Sequence, residues 1–278
     1  MAGETRWREL GDFLRARRAE LTPEDLGLVV SGQTRRVPGL RREEVAHATS
    51  ISTEYYARLE QGRLPASAPG LDDLARVLRL TPDQRVYLAG LSGRPLTGAR
   101  PAFREALDVP VQRMLDNLVG TPAFVMGPRT EIIGWNDLGA ALITDFAAIP
   151  ERERYFIRLL FTDPAMRLLY ADWLSVVDLA IAQLRMDSAT DPEDDQLREI
   201  VRELSALDPD FHDLWNGQEV AARGSGTKIL RHPVVGELAL DWGALTDGAG
   251  HTIIVWTSEP GSVTHDRVLR LAEIAGEG

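Results

Sequence analysis

The chain has 278 residues, 44% apolar and 26% charged, a length and balance that suit about two domains with real cores. It has no cysteine, which excludes disulfides, Cys-ligated zinc, iron–sulfur clusters and thiol redox sensing. The net charge of −11 is unevenly spread: residues 1–92 carry 14 Arg against 13 acids and the remainder 17 basic residues against 29, so any contact with phosphates belongs to the first third.

No apolar run approaches the ~18 residues of a membrane span, and the opening MAGETRWREL is no signal peptide, so a soluble, cytoplasmic protein without membrane contact is expected. The first 92 residues read as short helices. The first runs from about Arg6 to Glu20, with Leu10, Phe13, Leu14 and Arg17 at helical spacing. LTPEDLGLVVSGQTRRVPG is a loop. REEVAHA and STEYYARLEQG are two helices across a tight turn, and LDDLARVLRL is a fourth. A fifth opens on TPDQ, where Thr81 caps, Pro82 suits the first turn and Gln84 completes a capping box. Residues 93–108 form a linker around SGRPLTGARP.

Beyond the linker DVPVQRMLDNL is a helix, and PAFVMG and TEIIGWN are strands joined at Pro128–Arg129. Helices then dominate from about Asp137 to Asn216, through ERERYFIRLLFTD, DPAMRLLYADWLSVVDLAIAQLRMD and DPEDDQLREIVRELSALDP. Then come the strands TKILRHP, GELALDW and HTIIVWTSE, and VTHDRVLRLAEI closes the chain. This order predicts a mainly α domain over 1–92 and an α+β domain over 109–278, its antiparallel five-stranded sheet accompanied by helices.

In the two-helix stretch LRREEVAHATSISTEYYARLEQGR, Val45, Ala46, Ile51, Tyr56 and Leu59 can form one apolar seam. Ser52 is placed to cap the second helix and Gly62 to end it. Thr53, Glu54, Ala57 and Arg58 then fall on the opposite, exposed face, whose width fits a major groove. Arg42, at the start of the preceding helix, lies where a backbone would pass.

The pattern xEEVAxxxxISxxYYxRLEQGR resembles the helix-turn-helix of phage-repressor-like (XRE) transcription regulators. GLRREEVA, YYARLEQGR, LRLTPDQRVYL, LFTDPAMR, GTKILRHPVVGEL and SEPG together resemble actinobacterial regulators with an MmyB-like ligand-binding domain, from about Leu10 to Ala275. The resemblance implies a PAS-like sensor fold behind the DNA-binding domain. It also assigns Thr53, Glu54 and Arg58 to base edges, with Ser52 and Tyr55 at the rim of that face. Arg41, Arg42 and Arg63 would hold phosphates, and Arg35 and Arg36 would add a backbone or minor-groove contact. Relatives carry a larger apolar residue where Ala48 stands and glycine where Ser50 stands. A φ > 0 turn position costs serine roughly 1 kcal/mol over glycine. A net charge of only +1 over residues 1–92 predicts modest non-specific affinity. A homodimer on a pseudo-palindromic double-stranded DNA operator is therefore expected.

The larger domain holds five of the six tryptophans, and aromatics on its strands and covering helices can line a cavity between layers. Trp135, Asn136, Phe146, Phe161, Tyr170, Trp173, Trp215, His232 and Trp242 are the candidates for holding a small ligand. The resemblance implies that this ligand is largely apolar and fatty-acid-like. For a polar head group the sequence offers Arg223, Lys228, Arg231 and His232. Alternation puts Lys228, Leu230 and His232 on one face of their strand. Lys228 is the one lysine among 31 basic residues, a skew that points to a GC-rich coding sequence more than to a mechanism.

There is no GxSxG, HExxH, Walker loop or GxGxxG, and the five histidines show no HxxxH or HxH spacing, so neither an enzyme nor a metal centre nor any cofactor is expected. The reading is a ligand-responsive, dimeric transcription regulator. Its rivals are a constitutive DNA-binding protein whose larger domain only dimerises, and a protein-interaction module that controls another transcription factor.

Overall fold

The apolar residues that define the first helix also bury it. In the computed structural model, which describes residues 2–27, 39–64, 68–93, 106–189, 191, 194–222, 224–247 and 249–276, helix α1 spans Ala2–Glu20 and encloses Leu10, Phe13 and Leu14 completely. Helices α2 (Arg42–Ala48), α3 (Thr53–Glu60), α4 (Ala68–Val77) and α5 (Pro82–Leu91) follow. The close approach of α1 to α3 depends on Gly11, where a Cβ would come within 2.6 Å of the Glu60 carbonyl oxygen. At the start of α5 the expected box is formed: Gln84 N–H donates to Thr81 Oγ1 at 3.2 Å, and Thr81 N–H to Gln84 Oε1 at 3.0 Å.

The compact unit built on these helices also takes in residues from 185–195 and 215–221. Ala189 and Val220 join its apolar core. Arg17 is 3% exposed yet bonded, donating to the Gly217 carbonyl and the Glu219 carboxylate at 2.9 Å each. Arg185 is 1% exposed; it donates to Gln218 Oε1 at 2.9 Å and stands 4.1 Å over the Trp215 ring. Both guanidinium groups are held through their Nη donors, while each Nε is buried without a hydrogen-bond partner.

The second unit begins with α6 (Val109–Asp116), then strands β1 (Ala123–Met126) and β2 (Ile132–Trp135) and helix α7 (Asp137–Ile143). Within ERERYFIRLLFTD a 3-10 turn at Glu151–Glu153 precedes α8 (Phe156–Thr162). The stretch DPAMRLLYADWLSVVDLAIAQLRMD holds two helices, α9 (Pro164–Leu169) and α10 (Trp173–Ser188). Between them Tyr170 bridges to Leu230, and Ala171 N–H donates to the Ile229 carbonyl at 2.9 Å. Backbone pairing with a strand wins over helical continuation there, and Asp172 restarts the helix by accepting from Ser175 N–H at 3.1 Å. Helices α11 (Asp195–Leu207) and α12 (Pro209–Asn216) lead to β3 (Ser225–His232), β4 (Gly236–Thr246), β5 (Thr252–Thr257) and α13 (Val263–Gly276).

The sheet order is β2-β1-β5-β4-β3, and every neighbouring pair is antiparallel. Alternation sets its faces. Leu238, Leu240 and Trp242 of β4 are buried while Glu237, Ala239 and Asp241 are exposed. On β3, Leu230 and His232 are buried and Lys228 largely so, with Ile229 and Arg231 outward. No helix among the described residues is long and apolar enough to cross a membrane.

Candidate DNA-binding face and ligand cavity

The seam between α2 and α3 buries Val45, Ala46, Tyr56 and Leu59, with Ile51 and Tyr55 partly covered at its edge. Ser50 makes the turn at φ +56°, in the left-handed region, and Gly62 leaves α3 at φ +65°. Ser52 caps α3 by accepting from Tyr55 N–H at 3.1 Å. With the seam inside, Thr53, Glu54 and Arg58 are exposed. Arg58 donates to Glu54 at 2.7 Å, an exposed i,i+4 pair worth a few tenths of a kcal/mol and readily exchanged for another acceptor.

Glu60, in the last turn of α3, carries a role that the seam alone does not reveal. It is 1% exposed and accepts from Arg18 Nε at 2.5 Å and Arg42 Nε at 2.6 Å. Arg18 in turn donates to the Leu40 carbonyl at 2.6 Å. Burial raises the Glu60 carboxyl, but the two guanidinium groups outweigh it and hold the group below the usual carboxylate range. One carboxylate thus ties α1, α2 and α3 together and orients Arg42, whose side chain stays 42% exposed. The signal was legible: Glu60 sits four residues after Tyr56, on the apolar side of the helix. Arg41 opens α2, its N–H donating to Glu44 at 2.6 Å, and Arg63 is exposed beyond α3. Arg35 and Arg36 lie outside the described residues.

In the second unit a cavity is walled by the sheet and α10. A narrow inner void of about 30 Å³ is lined by Phe124 and Met126 of β1, Ile254 and Trp256 of β5, and Val176, Leu179, Ala180 and Gln183 of α10. Lys228 and Trp242 line it too, and they also line a wider outer space of about 440 Å³ that reaches Ser175, Ser225 and Gly226. Gly226 leaves room for the Trp242 indole, whose Nε1 would lie 3.2 Å from an added Cβ. The Lys228 ammonium stands 5.0 Å from the Trp242 ring, 5.7 Å from Tyr170 and 6.0 Å from Trp256. Burial pushes its pKa down to about 8. Gln183 Nε2, Trp256 Nε1 and the Tyr170 hydroxyl are buried without a hydrogen-bond partner.

Of the residues expected around a ligand, Trp242 lines this cavity, Tyr170 neighbours it only through the Lys228 ammonium, and the others line neither space. Asn136 is a bracket: Oδ1 accepts from Ala123 N–H at 3.0 Å and Gly139 N–H at 2.8 Å, while Nδ2 donates to the Leu118 and Thr121 carbonyls. His232 shapes the β3–β4 turn, accepting from Val234 and Val235 N–H and meeting the Ala141 carbonyl at 2.9 Å. Trp135 lies under Arg154 and packs on Phe146, which also meets Phe124. Phe161 packs edge-on against Trp173 and Phe211, and Trp173 Nε1 donates to the Leu160 carbonyl. Trp215 belongs to the first unit, beneath Arg185. Their rings fill cores, as aromatics do when neighbours close around them. Arg231 points outward, and Arg223 lies outside the described residues. What the aromatic count missed was the α10 wall, because Val176, Leu179, Ala180 and Gln183 recur at helical spacing and read as ordinary core.

Two family comparisons match. A helix-turn-helix domain family matches residues 9–88, and the family described as MmyB-like transcription regulator ligand binding domain matches residues 107–272. No curated protein matches the chain. Both matched domains are regulator domains, one for DNA and one for a small ligand.

Proposed function

The chain belongs to the MmyB-like transcription regulators, and on that premise we propose that it binds a pseudo-palindromic operator as a homodimer and senses a small, largely apolar, fatty-acid-like molecule in the cavity under α10. The carrying observation is the outward face of α3 beside an Arg42 held in place by buried Glu60. Thr53, Glu54 and Arg58 meet base edges there, with Arg58 on guanine O6 and N7. Arg41, Arg42 and Arg63 hold phosphates, and two modules engage half-sites about 34 Å apart.

The ligand acts by preferring one dimer geometry, since equal affinity for both would shift nothing. Gel shifts against sequences selected from a random DNA pool test the DNA half. Arg58→Ala flattens the preference among sequences, whereas Arg42→Ala weakens all of them and lowers the salt slope by about one. Unchanged binding in both variants would sink the assignment.

A further inference from the structure

We infer that Lys228 is an attachment point, and that the molecule this cavity takes is an apolar aldehyde held by the Lys228 amine as an imine. The inference rests on reading the cavity as the sensor's ligand site. It starts from composition: of 31 basic residues only this one is lysine, and it lies on the cavity wall. Arginine is the better partner for a carboxylate, with its planar fork, and the chain uses it everywhere else. What lysine offers and arginine does not is a nitrogen that loses its proton and condenses with a carbonyl.

The surroundings suit that step. No carboxylate pairs with Lys228 among the described residues; Asp172, the acid on the outer lining, is taken up by Ser175, which donates to it through Oγ at 2.7 Å and through N–H at 3.1 Å. With its pKa down to about 8, the side chain carries a share of neutral amine at neutral pH roughly two orders of magnitude above that of an ordinary lysine. Gln183 and Trp256 are 8% and 2% exposed, line the same void and keep unpartnered N–H donors. Such donors match an oxygen that gains charge as an amine adds to its carbonyl.

The steps balance without oxidant or reductant. The Nζ lone pair forms the C–N bond, the C=O pair moves to oxygen, and a proton passes from nitrogen to that oxygen. The carbinolamine hydroxyl then takes a proton from solvent and leaves as water as the nitrogen pair closes C=N, which gives the protonated imine. The rings of Trp242, Tyr170 and Trp256 stabilise the protonated imine.

The test treats the full chain with decanal and sodium cyanoborohydride, then reads intact mass and peptide maps. The expected result is one decyl group on the Lys228 peptide, formed faster than on the N-terminal amine, the only other primary amine in the chain. Gln183→Leu and Trp256→Phe each slow that labelling by about tenfold or more. Lys228→Arg abolishes it. Labelling of Lys228 no faster than of the N-terminus overturns the inference. Thermal shifts with decanol and decanoate separate the two layers. If these stabilise the protein while Lys228 stays unlabelled, the cavity is a ligand site and the imine is wrong; if no compound stabilises or labels, both readings fall.

Discussion

Ser50 turns between α2 and α3 at φ +56°, where a Cβ is strained. Ser50→Gly is expected to stabilise the protein by up to about 1 kcal/mol, read as a raised denaturant midpoint, with operator affinity unimpaired. Glu60 behaves oppositely, because both its partners are guanidinium groups and its carboxylate is buried. Glu60→Gln leaves Arg18 short of its counter-charge and costs about 3 kcal/mol. The sign with pH follows from a carboxyl held below its unfolded value. Its stabilisation is complete above about pH 4.3, the unfolded value, and is lost as pH falls through the folded one. Denaturant midpoints between pH 6 and pH 3 should fall more steeply for the wild type than for Glu60→Gln. At this scale the sequence spoke unevenly. The Ser52 cap and the exposure of Arg58 follow from local spacing, whereas Asn136 and His232 look like ligand groups until their backbone partners, over 15 and 91 residues away, are known.

Helices α1 and α3 meet where Gly11 faces the Glu60 carbonyl, so the packing tolerates no side chain. Gly11→Ala should force them apart and cost about 2 kcal/mol, with operator binding weakened at temperatures where the first unit begins to open. Calorimetry alongside gel shifts separates loss of fold from loss of contact. The elements with complete local signals were readable to within a residue or two: α2, α5 with its capping box, and β3 with its alternation. The α9–α10 break was not, because what interrupts the helix is a hydrogen bond to Ile229, fifty-eight residues on from Ala171. The one local clue was Asp172 followed three residues later by Ser175, a cap signature inside an otherwise continuous helical pattern.

Over the whole molecule, charge placement argues for weak, salt-sensitive DNA binding, since residues 1–92 carry a net +1 against −12 in the rest. In the proposed dimer, the three arginines per subunit assigned to phosphates give about six contacts, so raising salt from about 50 to about 200 mM should weaken operator binding about a thousandfold. A ligand bound at about a hundred times its Kd should add about 2.7 kcal/mol of stability, visible in a thermal scan. The antiparallel five-stranded sheet with its helices was legible from element order, but the membership of residues 185–195 and 215–221 in the first unit was not, because nothing local in those stretches marks it. The isolated lysine has one more effect. With its sole ε-amine partly covered on a cavity wall, the folded protein offers a single, half-shielded side-chain nitrogen to enzymes that acetylate lysine or append degradation tags through isopeptide bonds. Such marks should be written on it faster once that wall has come apart, which would make them a record of unfolding.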